Sequence, residues 1–118
     1  MKFLAITNPA EEQKIKDELK SAERIDNVYL GESFLFYKKG LSKYFYIKYD
    51  DIYRAFRRVK SVPMKLCCGR GELLLHYLVL SSNKAEIVEF DISTEAAAIK
   101  LLEVIPEKAS HIKIGKKK

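Results

Sequence analysis

Cysteine and tryptophan are scarce in this sequence. It contains two cysteines, Cys67 and Cys68, which are adjacent, and no tryptophan among its 118 residues. Neighbouring cysteines do not easily form a disulfide, and a secreted scaffold carries several spaced cysteines, so the pair favours a reducing compartment. A zinc site would need more ligands at suitable spacing, and His76 and His111 stand alone. We therefore expect two small apolar residues at the entrance of a strand, and no metal or cofactor.

Long hydrophobic runs are also missing. No apolar stretch approaches the roughly 20 residues that cross a bilayer, and residues 3–6 are fewer than the about 7 to 15 of a signal-peptide core. We therefore expect a cytoplasmic protein without a transmembrane segment. Its hydrophobic fraction of 47% and charged fraction of 32% are typical of one soluble globular domain with a single core.

Motifs that carry catalysis are absent as well. There is no glycine-rich phosphate loop, and Gly69-Arg70-Gly71 is too short to cradle phosphates. The sequence contains neither a nucleophile elbow nor a histidine pair at metal spacing. His76 lies in an apolar segment, where a histidine is more often a core or interface residue than a catalytic base. The sequence therefore predicts a binding or assembly module and not an enzyme.

The first part of the chain predicts a short strand and a helix. Residues 2–7 are mostly apolar, and Asn8, Pro9 and Glu11 have the residue types preferred at an N-cap and in the first helical turn. The helix should continue to about Ser21. Its apolar stripe is narrow, so we expect it to pack on the body along one side.

An alternating run of short strands follows. Residues 33–49 predict a hairpin, residues 52–62 a basic third strand with a bulge, residues 63–71 a connection, and residues 72–92 a second hairpin. This pattern is typical of a small sheet or barrel.

One helix closes the strand run. Ser93 or Thr94 can cap it, Pro106 should end it, and a terminal strand is expected at residues 112–114. The apolar residues of the helix follow the spacing of one buried face, namely Ala98, Leu101, Leu102 and Ile105.

Positive charge is concentrated in the middle of the chain. Residues 38–70 contain ten lysines or arginines and two acids, a net charge of +8 against +6 for the whole chain. Such a patch attracts anionic lipid, nucleic acid or an acidic protein face. The interleaved Tyr44, Tyr46 and Tyr53 could stack on bases, although packing beneath lysine stems is the preferred interpretation. The candidate anion-binding residues are Lys38, Lys39, Lys43, Arg54, Arg57 and Arg58.

Residues 72–80 form the most apolar segment, with apolar side chains predicted on both faces of the strand. One face can line the sheet interior, so the other should meet a helix, the N-terminal segment or a second copy of the protein. The candidate interface residues are Leu74, His76, Leu78 and Leu80.

The hairpin at 33–39, the segment 46–52 leading into a basic strand, and the final capped helix together resemble bacterial pleckstrin-homology-like (PH-like) domains. Residues 55–58, 66–71 and 76–80 are similar to a family of small, uncharacterised PH-like proteins from Firmicutes. The resemblance covers roughly residues 27–115. Members that bind phosphoinositides use basic residues in the first hairpin, where Lys38, Lys39 and Lys43 fall, but the arginines that usually follow are absent here.

The resemblance implies an α+β fold that is mainly β. Its expected architecture is a PH-like, partly open antiparallel barrel of about seven strands, capped by the C-terminal helix, with an extra N-terminal helix. Residues 1–26 would be an N-terminal extension, residues 27–115 the PH-like domain and residues 116–118 a basic tail.

Two functions remain open because the PH-like fold serves several. The first hypothesis is a non-enzymatic protein-interaction or self-assembly module that uses the apolar strand. The alternative is an anion-binding module that uses the basic region 38–70 against an acidic lipid surface or nucleic acid.

Overall fold

A computed structural model describes residues 2–66 and 69–115, with the backbone alone described at residues 64–66, 69, 70 and 72. Cys67, Cys68 and the basic tail 116–118 lie outside the described residues. Within the described part the fold is α+β and mainly sheet, which confirms the expected class.

The first half of the chain contributes five strands, one helix and a short 3-10 turn. In chain order these are β1 (Lys2–Ala5), α1 (Glu12–Ser21), β2 (Glu23–Ile25), β3 (Val28–Leu30), β4 (Phe34–Lys39), β5 (Lys43–Lys48) and the 3-10 turn Tyr49–Asp51. The second half contributes β6 (Arg54–Leu66), β7 (Gly69–Ser81), β8 (Glu86–Ile92), α2 (Glu95–Lys108) and β9 (Lys113–Ile114).

The described strands form two separate sheets. One has the order β1-β5-β4-β3-β2 and the other β8-β7-β6-β9, and neither closes into a barrel. The outer strands β1 and β9 run parallel to their neighbours, while the other pairs are antiparallel. The expected partly open antiparallel barrel of about seven strands therefore differs from the nine described strands. Parallel edge strands pair with distant parts of the chain, so local alternation does not reveal their pairing.

The N-terminal residues are built into the first sheet. Strand β1 pairs with β5 on one edge, and β2 forms the other edge through a tight hairpin with β3. The turn of that hairpin contains Asp26 at a φ of 57°, a left-handed conformation that aspartate tolerates better than most residues. The boundary expected between residues 26 and 27 falls inside this hairpin, and strands on both sides of it belong to the same sheet.

Helix α1 begins later than the sequence predicts. Its first residue is Glu12, and Glu11 at the N-cap makes no side-chain cap. The polar residues expected to start the helix bind elsewhere, since Thr7 Oγ1 donates to Asp51 Oδ2 at 2.6 Å and Asn8 Nδ2 donates to the same oxygen at 3.4 Å. The predicted end at Ser21 is confirmed.

Helix α2 packs against the main apolar core, which contains residues of both sheets. Leu101 and Ile105 are fully buried, and the Thr94 side chain accepts a hydrogen bond from the Ala97 N–H at 3.1 Å, which confirms it as the N-cap. Pro106 does not end the helix. It lies in the last turn, and the N–H of Ala109 still donates to the Ile105 carbonyl at 2.9 Å.

A second, smaller core lies between α1 and the other face of the first sheet. It contains Ile15, Phe34, Phe36 and Tyr46, so α1 packs by one narrow stripe as expected. Glu18 joins the helix to the sheet, because its Oε1 accepts hydrogen bonds from the backbone N–H groups of Ser33 at 2.7 Å and Phe34 at 3.1 Å.

The hairpin of β6 and β7 is longer than the sequence predicts. Its register continues without a break from Arg54 opposite Ser81 to Leu66 opposite Gly69. The connection expected at residues 63–71 is therefore wrong, and so is the bulge expected in the third strand, since the register shift lies between β7 and β8 at Leu80/Ser81. In a local interpretation of the sequence, proline and glycine indicate a loop. Within a hairpin, however, a proline removes only one hydrogen bond and a glycine removes only one side chain.

We predict that Leu101→Ala lowers the free energy of unfolding by about 2 to 5 kcal/mol, because it removes a buried side chain from the packing of α2 on the core. Ile99 lies on the same helix and is 42% exposed, so Ile99→Ala is the matched control and should cost less than about 1 kcal/mol. Urea denaturation of both variants measures the difference. Equal losses would contradict the proposed packing of α2.

Candidate functional site

The β6–β7 hairpin extends past the rest of its sheet. Strand β8 pairs with β7 only from His76 to Ser81, and β9 pairs with β6 only at Arg54 and Ala55. Residues 60–66 and 69–75 therefore form a two-stranded ribbon, here called the arm. Seven register pairs at roughly 3.4 Å per residue make it about 24 Å long. The molecule is correspondingly less compact than average: its radius of gyration is 15.4 Å, compared with about 13.5 Å for a compact chain of this length.

Apolar side chains are exposed on both faces of the arm. Leu74 is 54% exposed and lies on the same face as Val59 at the base of the arm, which is 45% exposed. On the opposite face Leu73 is 45% exposed and Val62, directly across from it, 40% exposed. A two-stranded hairpin with both faces in water is marginally stable alone. The arm is therefore a surface on which a partner would add stability.

The four candidate interface residues separate into two pairs. Leu78 and Leu80 are buried in the main core, so they are not available to another molecule. They share one face of β7 with Leu74 and His76, and this face leaves the core as the strand enters the arm. His76 is half-buried, and its Nδ1 has no hydrogen-bond partner within residues 2–66 and 69–115. The interface expected from the sequence therefore keeps Leu74 and His76.

A second exposed surface lies at the turn between β4 and β5. Lys39 is opposite Lys43, and Lys43 is opposite Lys2 on β1, so three exposed lysines lie side by side on three strands. Between β4 and β5, Leu41 is 95% exposed. We call these four residues the lysine turn. In the part of the chain that the structure describes, none of the three lysines forms an ion pair. Like charges placed opposite each other repel, so this surface favours an anionic neighbour.

The tyrosines near the lysine turn are packed against other side chains and are not exposed to a ligand. Tyr44 and Tyr46 are 8% and 4% exposed, so neither can stack on a base. Lys38 lies on the opposite face from Lys39, with its Nζ 5.8 Å from the centre of the Tyr44 ring. Lys113 and Arg54 lie similarly over the Tyr53 ring, at 5.0 and 5.8 Å. Packing beneath cationic side chains, the preferred interpretation of the sequence, agrees with these positions.

The three candidate arginines bind partners within the chain. Arg57 Nη1 lies 2.8 Å from Glu95 Oε1, and Arg54 Nη1 donates to the Gly115 carbonyl at 2.8 Å. Arg58 binds Glu86 and Glu89, and its Nη1 lies 2.7 Å from Glu89 Oε2. The six candidate anion-binding residues therefore do not converge on one site, and Lys39 and Lys43 are the two that come together.

Carboxylates on β8 and α2 neutralise much of the basic strand β6. The hydrogen bond from Lys60 Nζ to Glu89 Oε1, at 2.7 Å, lowers the pKa of Glu89, and Arg58 lowers it further. The hydrogen bond from Arg57 lowers the pKa of Glu95 in the same way. These glutamates follow their partners by 29 to 38 residues in the sequence, so a local count of charge does not detect them.

The structure adds Lys2 to the candidate residues, and the sequence contains no local signal for it. Lys2 reaches the lysine turn because β1 is parallel to β5, with the Lys2 N–H donating to the Ser42 carbonyl at 2.8 Å. A parallel pair between the chain start and a strand 40 residues later leaves no periodic pattern that would identify it.

Other kinds of site find less support. Across residues 2–66 and 69–115 there is no group of three or more histidines, cysteines, aspartates or glutamates that could hold a metal ion. A groove of about 350 Å³ lies beside Tyr53, Arg54 and Lys113, where the two cations already contact the tyrosine ring. Neither described helix has the length and apolar character needed to cross a membrane.

Comparisons with protein-family models, with curated proteins and with solved structures found no match. The assignment of a function therefore depends on the surfaces of the chain itself.

We predict that Glu89→Gln flattens the acid side of the stability profile. A carboxylate whose folded pKa is lowered stabilises the fold above its ordinary pKa of 4.5, and this contribution is lost as the pH falls through the folded value. The wild type should therefore lose stability below about pH 4.5 more steeply than Glu89→Gln.

Urea denaturation at a series of pH values measures this difference. Glu103→Gln, which removes an exposed glutamate on α2, is the control and should keep the wild-type slope. If Glu89→Gln also keeps that slope, the ion pairs of Glu89 do not contribute to stability.

Proposed function

We propose that this protein is a non-enzymatic, cytoplasmic PH-like domain that acts as a protein-interaction or self-assembly module, with the arm as its contact surface. The observation that carries the proposal is the exposure of apolar side chains on both faces of the arm. Apolar clusters of this kind on a soluble domain are typical of surfaces that meet other proteins.

The PH-like assignment is supported by the resemblance across residues 27–115 and by the mainly β architecture with a closing helix α2. The two open sheets and the parallel edge strands β1 and β9 depart from the expected single, partly open barrel. Since the fold serves peptides, lipids and self-assembly alike, the arm and not the fold decides the proposed function.

We predict that a photocrosslinker at position 74 forms covalent adducts in native cells. Leu74, 54% exposed on the arm, is replaced by p-benzoylphenylalanine, and the cells are irradiated. The matched control carries the same amino acid in place of Ile99, which is 42% exposed on α2. Because the arm is the contact surface, position 74 should give a discrete adduct by immunoblot and mass spectrometry, and position 99 should not.

An adduct with a second copy and an adduct with another protein both support the proposed function. The absence of a discrete adduct at position 74, or the same adducts at positions 74 and 99, would overturn it.

The lysine turn favours a second candidate function, binding to an acidic lipid surface. Three lysines without an ion pair among the described residues surround Leu41, which is 95% exposed. An exposed leucine flanked by cations suits the boundary between lipid headgroups and acyl chains, while the cations meet anionic headgroups. Nucleic acid is less favoured because Tyr44 and Tyr46 are buried.

We predict that the variant Lys39→Gln/Lys43→Gln binds anionic vesicles roughly 30-fold more weakly, since each lysine near such a surface contributes about 1 kcal/mol. Sedimentation with vesicles containing about 30% phosphatidylserine, at about 50 mM salt, measures this. Arg58→Gln removes a cation that already has carboxylate partners, so it is the matched control and should bind like the wild type.

Leu41→Ser distinguishes the two anionic partners. It should weaken vesicle binding further but leave binding to single-stranded RNA unchanged, because only a bilayer accepts the leucine side chain. A wild-type protein that does not bind vesicles at low salt would end the lipid candidate.

A further inference from the structure

The outer edge of β7 is unpaired along the arm. Strand β8 leaves β7 at His76, so no described strand pairs with residues 69–75 on that side. Unpaired N–H and C=O groups on an exposed edge are a template for another strand. The arm therefore offers backbone hydrogen bonds as well as apolar side chains.

The two edges of the arm differ in chemistry. On β6, Pro63 lacks an N–H, and residues 57–65 carry four cations and no acid. Proline and lysine are the residues that protect edge strands from unwanted pairing. On β7, residues 69–75 contain no proline and no lysine, and they have one cation and one acid. The β7 edge is thus the one open to pairing.

A strand added to the β7 edge would cover both exposed faces. Leu73 and Leu74 point to opposite faces because they are consecutive in a strand, and both are about half exposed. A helix or loop lying on the arm would cover one of them. An added strand lies beside both leucines, and its own side chains alternate between the same two faces.

We propose that the strand is the same β7 segment of a second copy of this chain, paired antiparallel about a twofold axis. This inference rests on the proposed function of the arm and names its partner. The segment is neutral overall and carries Arg70 and Glu72, so it is complementary to itself when the direction is reversed. Pairing of the basic β6 segment with the same segment of another copy would instead place four cations against four cations.

The charges of the segment select the register of this pairing. With the axis at Gly71, position 70 of each copy lies opposite position 72 of the other, and the described residues in the ladder run from position 69 to position 73. Opposite charges therefore face each other twice. Gly71 meets its own copy at the axis, and Leu73 lies opposite Gly69, where glycine leaves room for the larger side chain.

Charge reversal tests both the partner and the register. Arg70→Glu places glutamate opposite Glu72, and Glu72→Arg places arginine opposite Arg70, so each single variant should dimerise at least about tenfold more weakly than the wild type. The double variant Arg70→Glu/Glu72→Arg restores opposite charges and should dimerise like the wild type. Mixing the two single variants should give the heterodimer, since all the opposed charges are then unlike. Sedimentation velocity over a concentration series and native mass spectrometry measure these species.

Two controls separate loss of the dimer from loss of folding. The double variant has the composition of the wild type, so its recovery excludes a simple folding defect, and circular dichroism monitors each variant. Leu73→Lys should abolish the dimer, while Ile99→Lys, at an exposed residue of α2, should not.

A wild-type protein that stays monomeric at all concentrations would overturn the inference. So would a dimer whose affinity is unchanged by both single charge reversals, because it would use another surface. If the protein is monomeric but position 74 still crosslinks to another protein, the second copy is excluded and the proposed function stands. If position 74 gives no adduct either, both fail.

Discussion

The apolar contact between the two sheets is the constraint on which the rest of the structure depends. The sheets share no strand and neither closes on itself, so apolar packing between them holds the molecule together. Tyr37 of the first sheet stacks on Phe90 of the second, with ring centres 4.3 Å apart, and α2 inserts Leu101 and Ile105 into the same core. Because α2 and the sheets are held together at one end of the β6–β7 hairpin, the other end projects as the arm.

Local chemistry predicted those parts of the fold that local contacts decide. The β4–β5 hairpin and the Thr94 cap follow from alternation and from capping preferences that act within a few residues. The strands β1 and β9 were expected, but their parallel pairing was not, because their partners lie about 40 or more residues away. The extent of β6 and β7 was missed for another reason. A ribbon with solvent on both faces has no buried side to impose alternation, so its proline and glycines resemble a loop.

The charges of the candidate site show the same limit of local sequence information. The sequence identified a concentration of cations, and the structure divides it into cations with carboxylate partners and cations without them. Arg57 and Arg58 are the paired group, and their glutamates come from β8 and α2, which the sequence places far away. Apart from their contribution to stability, these pairs cancel the field that an anionic ligand would experience. Lys39 and Lys43, joined by Lys2, keep that field at the lysine turn.

The unequal edges of the arm indicate that its exposure has a use. An exposed apolar edge strand risks aggregation, and proteins guard such edges with proline, lysine or bulges. This chain guards the β6 edge with Pro63 and a row of cations, yet leaves the β7 edge unguarded beside Leu73 and Leu74. An arm without a partner would gain from protection on both edges. When the β6 edge alone is protected, another strand can be added only at the β7 edge. Two copies that pair through their β7 edges then have no open edge left on the arm, so the assembly is limited to a closed pair.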